Sequence, residues 1–170
     1  MGTLEVFDHT ADLGLRVMAS DLDDLFRTAA EGLFDVITAD RRAIEPREAE
    51  SVAIEADSLE LLLIDWLNEL IFRSETGRRL YGRFEIAVDV AKPARPRLSG
   101  TIRGEPIDAH RHVLDHEVKA ATHHAVFVKQ VPEGGLAEVI VDICSRRAVR
   151  RRPVRGRSDA AAGTPRPRGG

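Results

Sequence analysis

A single cysteine, Cys144, stands in the 170-residue chain, so no internal disulfide can form and the reducing cytoplasm is the expected setting. Apolar runs are short, as from Leu61 to Ile64, and none is long enough to cross a bilayer as a helix. The first residues set Leu4, Val6 and Phe7 around acidic Glu5 and Asp8, without the basic start and long apolar stretch of a signal peptide. Several chemical motifs are missing as well. No GxxxxGK(S/T) loop, GxGxxG turn, GxSxG elbow, HExxH helix or paired CxxC occurs, which excludes the phosphate cradles, nucleophile and zinc sites built on them. Cys144 follows apolar Ile143 and is expected to be a buried, inert thiol.

What is present is a normal globular content of 43% hydrophobic residues and an uneven distribution of charge. From Arg146 onward there are nine arginines (146, 147, 150, 151, 152, 155, 157, 166 and 168) against one acid, Asp159. Taking these from totals of 25 basic and 28 acidic residues leaves 16 and 27, so the preceding part carries −11. Such a body binds nucleic acid poorly, because phosphate contacts supply most of that affinity. It suits a cation or a protein partner with a basic surface. The arginine-, proline- and glycine-rich residues 145–170 are expected to be a disordered tail on a single domain spanning 1–144. Two roles fit the tail, a solubilising extension or a weak contact with RNA.

Periodicity predicts two amphipathic helices. Ser20 can cap the first, and Leu22, Leu25, Phe26, Ala29, Leu33, Phe34 and Ile37 form one apolar stripe. The second starts near Asp57 and Ser58, carries Leu59, Leu62, Leu63, Trp66, Leu67, Leu70 and Ile71, and stops at Gly77. Strands are predicted at 4–9, 13–19, 51–56, 84–90, 97–104, 121–129 and 137–144. Helices early and strands late favour an α+β fold, two amphipathic helices packed on a mixed, largely antiparallel sheet.

Asp142 interrupts Val139-Ile140-Val141-Asp142-Ile143, otherwise an interior strand. A carboxylate there needs a cation or an arginine, and Arg16 or Arg146 can serve as readily as a metal. Asp12 lies in the turn His9-Thr10-Ala11-Asp12, where these residues can simply bond the backbone or bring a second carboxylate to the sheet's end. Two carboxylates with main-chain carbonyls and water suit a hard divalent cation such as calcium or magnesium. His110, His112, His116, His123 and His124 invite zinc, but adjacent His123 and His124 face opposite ways on a strand, and His110 and His112 lack an obvious third ligand. Lys119 can pair with Asp12 or Asp142, meet phosphate, or be an ordinary surface lysine; His9 is a further candidate for partner contact. Asp65 and Glu69, four apart on the second helix, can do acid–base work or form a solvated edge.

In order along the chain, Phe7-Asp8-His9-Thr10-Ala11-Asp12-Leu13-Gly14, Asp21-Leu22-Asp23-Asp24-Leu25-Phe26 and Leu62-Leu63-Ile64-Asp65-Trp66-Leu67-Asn68-Glu69-Leu70 come first. Gly104-Glu105, Asp108, Arg111-His112, Val118-Lys119-Ala120-Ala121-Thr122 and Val141-Asp142-Ile143 follow. Together they make residues 4–144 resemble the archease family. The resemblance implies a bound divalent ion, calcium above all with magnesium or manganese as alternatives, on Asp12, Asp142 and the Ile143 carbonyl. It implies no enzyme but an activator of an RtcB-type RNA ligase in tRNA splicing and RNA repair, one that promotes guanylylation of the ligase and repeated turnover. Lys119 matches a family lysine important for this. His123 stands where the family pattern has Tyr, and the arginine-rich tail lies outside that pattern. The residues alone leave two rivals, a stand-alone metal-dependent phosphoesterase and a metal-independent binding module.

Overall fold

The structure is a computed structural model that describes residues 2–9 and 12–145. The tail expectation for residues 146–170 and the turn residues Thr10 and Ala11 fall outside the described residues.

Seven strands and two helices follow in the order β1 (Thr3–His9), β2 (Asp12–Ala19), α1 (Leu22–Ile37), β3 (Glu48–Glu55), α2 (Leu59–Gly77), β4 (Arg79–Asp89), β5 (Arg97–Pro106), β6 (His116–Val131) and β7 (Gly134–Ser145). They form two sheets rather than one: β1-β2-β7-β6 and β3-β5-β4. Every pairing within them is antiparallel. The α+β architecture is as the residue pattern predicts, and Ser145, expected to open the tail, closes β7.

Helix α1 packs on β2 and β4, tying the sheets together, and α2 packs on β6. The aromatic centre of the core is continuous. Phe34 stacks on Phe84 at 5.9 Å and meets Tyr81 edge-on, while Trp66 meets Phe84 edge-on at 6.1 Å. The Trp66 indole N–H donates to the Phe26 carbonyl at 3.0 Å, which satisfies a buried donor and links the two helices. Among the described residues no helix is long and apolar enough to cross a membrane.

The cap of α1 is Asp21, not Ser20. Its carboxylate accepts from the Asp24 N–H at 2.8 Å, leaving Ser20 one residue outside the helix. Ser58 caps α2 as expected. Gly77 is the last residue of α2, and Arg78 takes the left-handed cap at φ 49°. Strand β6 starts five residues before its predicted start, because two register breaks scramble the alternation by which a strand is recognised.

Candidate metal centre

Burial fixes which way the strand side chains face. Leu15, Val17 and Ala19 of β2 and Ala137, Val139 and Val141 of β7 point into the core. The intervening residues Asp12, Gly14 and Arg16, with Glu138, Ile140 and Asp142, therefore lie on the outer face of the four-stranded sheet. Register pairs Asp12 directly with Asp142, and His9 of β1 with Asp12. Directly opposed residues on neighbouring strands hold their Cβ atoms roughly 5 Å apart. Two half-buried carboxylates thus share one spot at the end of the sheet.

Like charges directly opposed destabilise a sheet unless something compensates them. No described residue does so: neither the Asp12 nor the Asp142 carboxylate has an ion-pair or hydrogen-bond partner among them. Arg16, a candidate counter-ion, is committed elsewhere. Its Nε donates to Glu138 at 3.1 Å, its Nη1 donates to Glu5 at 3.0 Å, and its guanidinium lies 4.9 Å from the centre of the Phe7 ring. Those two carboxylates hold the Arg16 pKa above its ordinary value. Arg146, the other candidate, lies outside the described residues.

The neighbours of the pair are apolar. Phe7 is paired with Gly14, and its ring occupies the space that a Cβ at Gly14 would fill. Ile140, opposite Gly14 on the other side, is 1% exposed although it faces outward. An apolar patch of Phe7, Gly14 and Ile140 therefore abuts the carboxylates.

On β6, Ala120 stands opposite Asp142 and Lys119 is the extra residue of a bulge. Lys119 is exposed and makes no ion pair with either carboxylate among the described residues. His9 ends β1 beside Asp12. Ile143 faces the core one position beyond Asp142, and Cys144 is exposed, not buried, because alternation turns it outward with Asp142.

The donor set is two carboxylates, with main-chain carbonyls available beside them. Hard oxygen donors of this kind fit calcium, magnesium or manganese, with further positions left for water or for groups of a partner. Among the described residues no group of three or more His, Cys, Asp or Glu forms a fuller metal site.

The histidines are not brought together. His112 is buried, and its Nδ1 accepts from the Asp108 N–H at 2.8 Å. The ring proton is therefore on Nε2, which donates to Glu105 at 2.8 Å. With both nitrogens used, His112 has no lone pair for zinc. Glu105, 1% exposed, also accepts from Arg111 at 2.6 Å and from the Glu45 N–H at 2.9 Å. Burial pushes its pKa up, but the bonds from Arg111, the Glu45 amide and His112 prevail and hold it at about 2. Gly104-Glu105, Asp108 and Arg111-His112 are thus one polar knot centred on buried Glu105 and His112. His123 and His124 are exposed and sit in the second register break of β6, beside Ala125 at φ 55°. On α2, Asp65 is exposed and Glu69 accepts from Arg73 at 2.7 Å.

One polar residue of the site region is visible only in the structure. Asn68 of α2 reaches the outer edge of β6, where its amide bonds both main-chain groups of Ala121. A lone Asn between Leu67 and Leu70 in an apolar helix stripe is the signal that could have marked it.

The profile of the Archease protein family matches residues 4–143. An archease from Methanopyrus kandleri is 40% identical over 139 residues, covering 82% of this chain and 98% of its own. One from Thermococcus gammatolerans is 34% identical over 140 residues, 82% of this chain and 97% of its own. The solution structure of Methanobacterium thermoautotrophicum protein 1598 superposes with a TM-score of 0.66 at 33% identity, over 84% of this chain and 97% of that one. The crystal structure of a Thermotoga maritima archease, described as a possible chaperone, has the same fold at a TM-score of 0.52 and 18% identity, over 80% of this chain and 94% of that one.

Proposed function

The chain belongs to the archease family, and from that premise we propose that it is a metal-binding accessory protein that activates an RtcB-type RNA ligase in tRNA splicing and RNA repair. The observation that carries this reading is the direct opposition of Asp12 and Asp142 on the outer face of the sheet, with no compensating partner among the described residues. In this reading Asp12, Asp142 and the main-chain carbonyl of Ile143 hold a divalent cation, calcium or else magnesium or manganese. A cation there supplies positive charge toward a phosphate oxygen. Lys119 offers a second positive charge from the adjoining strand, and His9 borders the site for contact with the ligase.

The body's charge of −11 supports docking to a basic, RNA-binding cleft, which would be fast and salt-sensitive. RNA is reached through the ligase and, weakly, through the tail arginines. The protein works in the cytoplasm in this reading, and contributes no turnover of its own. A stand-alone phosphoesterase using two metals would need a larger ligand set than the described residues bring together.

Ligation at limiting ligase tests the proposal. Adding the protein should convert a stoichiometric reaction into many turnovers, and Asp12→Ala/Asp142→Ala should not. A chain ending at Ser145 should still activate. Full activation by the double variant would reject the mechanism, and hydrolysis of a phosphate ester by the protein alone would favour the phosphoesterase.

A further inference from the structure

Strand β6 is an edge strand, so the N–H and C=O groups on its free side need partners. Helix α2 provides them at two points. The Asn68 side chain accepts from the Ala121 N–H at 2.8 Å and donates to the Ala121 carbonyl at 3.3 Å, in the manner of a neighbouring strand. Further along, Glu60 accepts from the Val128 N–H at 3.3 Å.

The Asn68 clamp falls one residue past the bulge that contains Lys119. Val118 pairs with Ile143, Ala120 pairs with Asp142, and Lys119 is the unpaired residue between them. Val118 and Ala121 each retain 4% exposure and point into the core, although they are three positions apart. Lys119 and Ala120 therefore both face outward, which an unbroken strand could not achieve.

Shape alone barely selects this register. Residues 120 and 121 are both alanine, so the core would accept either side chain at the inward position. If the bulge moved toward the C-terminus, Ala120 would turn inward and Lys119 would come to stand directly opposite Asp142. An ammonium opposite a carboxylate on the neighbouring strand forms a cross-strand ion pair. In the observed register a small alanine holds that place, and the Asp142 carboxylate is left without a lysine.

We propose that Asn68 is a positioning residue: by gripping both main-chain groups of Ala121 it fixes the β6 bulge and keeps Lys119 from pairing with Asp142, leaving the carboxylates open to a cation. The inference rests on the reading of Asp12 and Asp142 as a cation site and assigns to α2 the control of that site's availability.

Calorimetric titration of calcium onto four proteins tests it: wild type, Asn68→Ala, Lys119→Met and Asn68→Ala/Lys119→Met. Loss of a supporting residue of this kind should weaken calcium binding by about tenfold. Removing the lysine's charge in the same molecule should restore the affinity to within about twofold of Lys119→Met alone, a non-additive result that general loosening of the fold would not give. Amide exchange at Ala121 should accelerate in Asn68→Ala while the β2–β7 amides stay protected. Should Asn68→Ala fail to fold, Asn68→Ser, whose shorter side chain cannot span both groups as the amide does, carries the same comparison. Unchanged affinity in a folded Asn68 variant overturns the inference, as does a weakened affinity that Lys119→Met does not restore. Failure of the wild type to bind calcium, magnesium or manganese overturns the site itself, and shows before any variant is compared.

Discussion

Glu105 and His112 bond to each other at the buried centre of a polar knot. A histidine-rich stretch suggests a metal by composition, yet the His112 ring spends one nitrogen on the Asp108 amide and the other on Glu105. Which nitrogen is committed is a property of the folded loop and cannot be read from spacing. The knot makes a pH prediction. Glu105 has an ordinary pKa of 4.5 and is held at about 2 in the fold, so its contribution to stability is complete above about pH 4.5 and is lost as pH falls from there toward 2. Glu105→Gln should destabilise the protein by about 3 kcal/mol near neutral pH, since it removes one partner of a buried charge network. In thermal melts the gap to wild type should narrow between pH 4.5 and 3. Curves that stay parallel over this range would contradict the assignment. Asp12 and Asp142 were legible for the opposite reason: a carboxylate inside an apolar strand and another in a turn are each visible alone. Their register, and the diversion of Arg16 to Glu5 and Glu138, emerge only when β1, β2 and β7 come together.

At the scale of elements, both helices were legible because each has one long apolar stripe, and most strands because they alternate. Strand β6 was partly hidden by its two register breaks, since an extra residue inverts the alternation beyond it. The β1–β2 hairpin depends on a different local device. Phe7 lies over Gly14, so a side chain at position 14 must displace the ring. Gly14→Ala should destabilise the fold by about 1–3 kcal/mol in chemical denaturation, the usual cost of overpacking. Because Asp12 is only two residues away on the same face, cation affinity should fall with it. Combining Gly14→Ala with Phe7→Ala should cost less than the sum of the two, because the clash disappears with the ring. Strictly additive losses would mean that the glycine serves something other than the ring.

The sequence joins an acidic body to a basic C-terminal segment, and the Methanopyrus and Thermococcus relatives are covered over 97–98% of their own length by about 140 residues of the body. Family and architecture were legible from the ordered motifs, since those motifs are the helix stripes, the hairpin and the polar knot around Glu105. The division into two sheets was not, because strands of both sheets have the same local pattern and only pairing separates them. The candidate site lies at one end of the four-stranded sheet, on β2 and β7 beside β6, and Asn68 of α2 bonds the free edge of β6.

The opposed carboxylates are either a cation site, as proposed, or a pair kept for packing. Calorimetric titration of calcium, magnesium and manganese onto the wild type and Asp142→Asn tests this most directly. A cation site predicts one bound divalent ion per chain and at least about a hundredfold loss of affinity in the variant, since one of two charged ligands is gone. A wild type that binds none of the three ions, or an Asp142→Asn variant that binds as tightly, would contradict it.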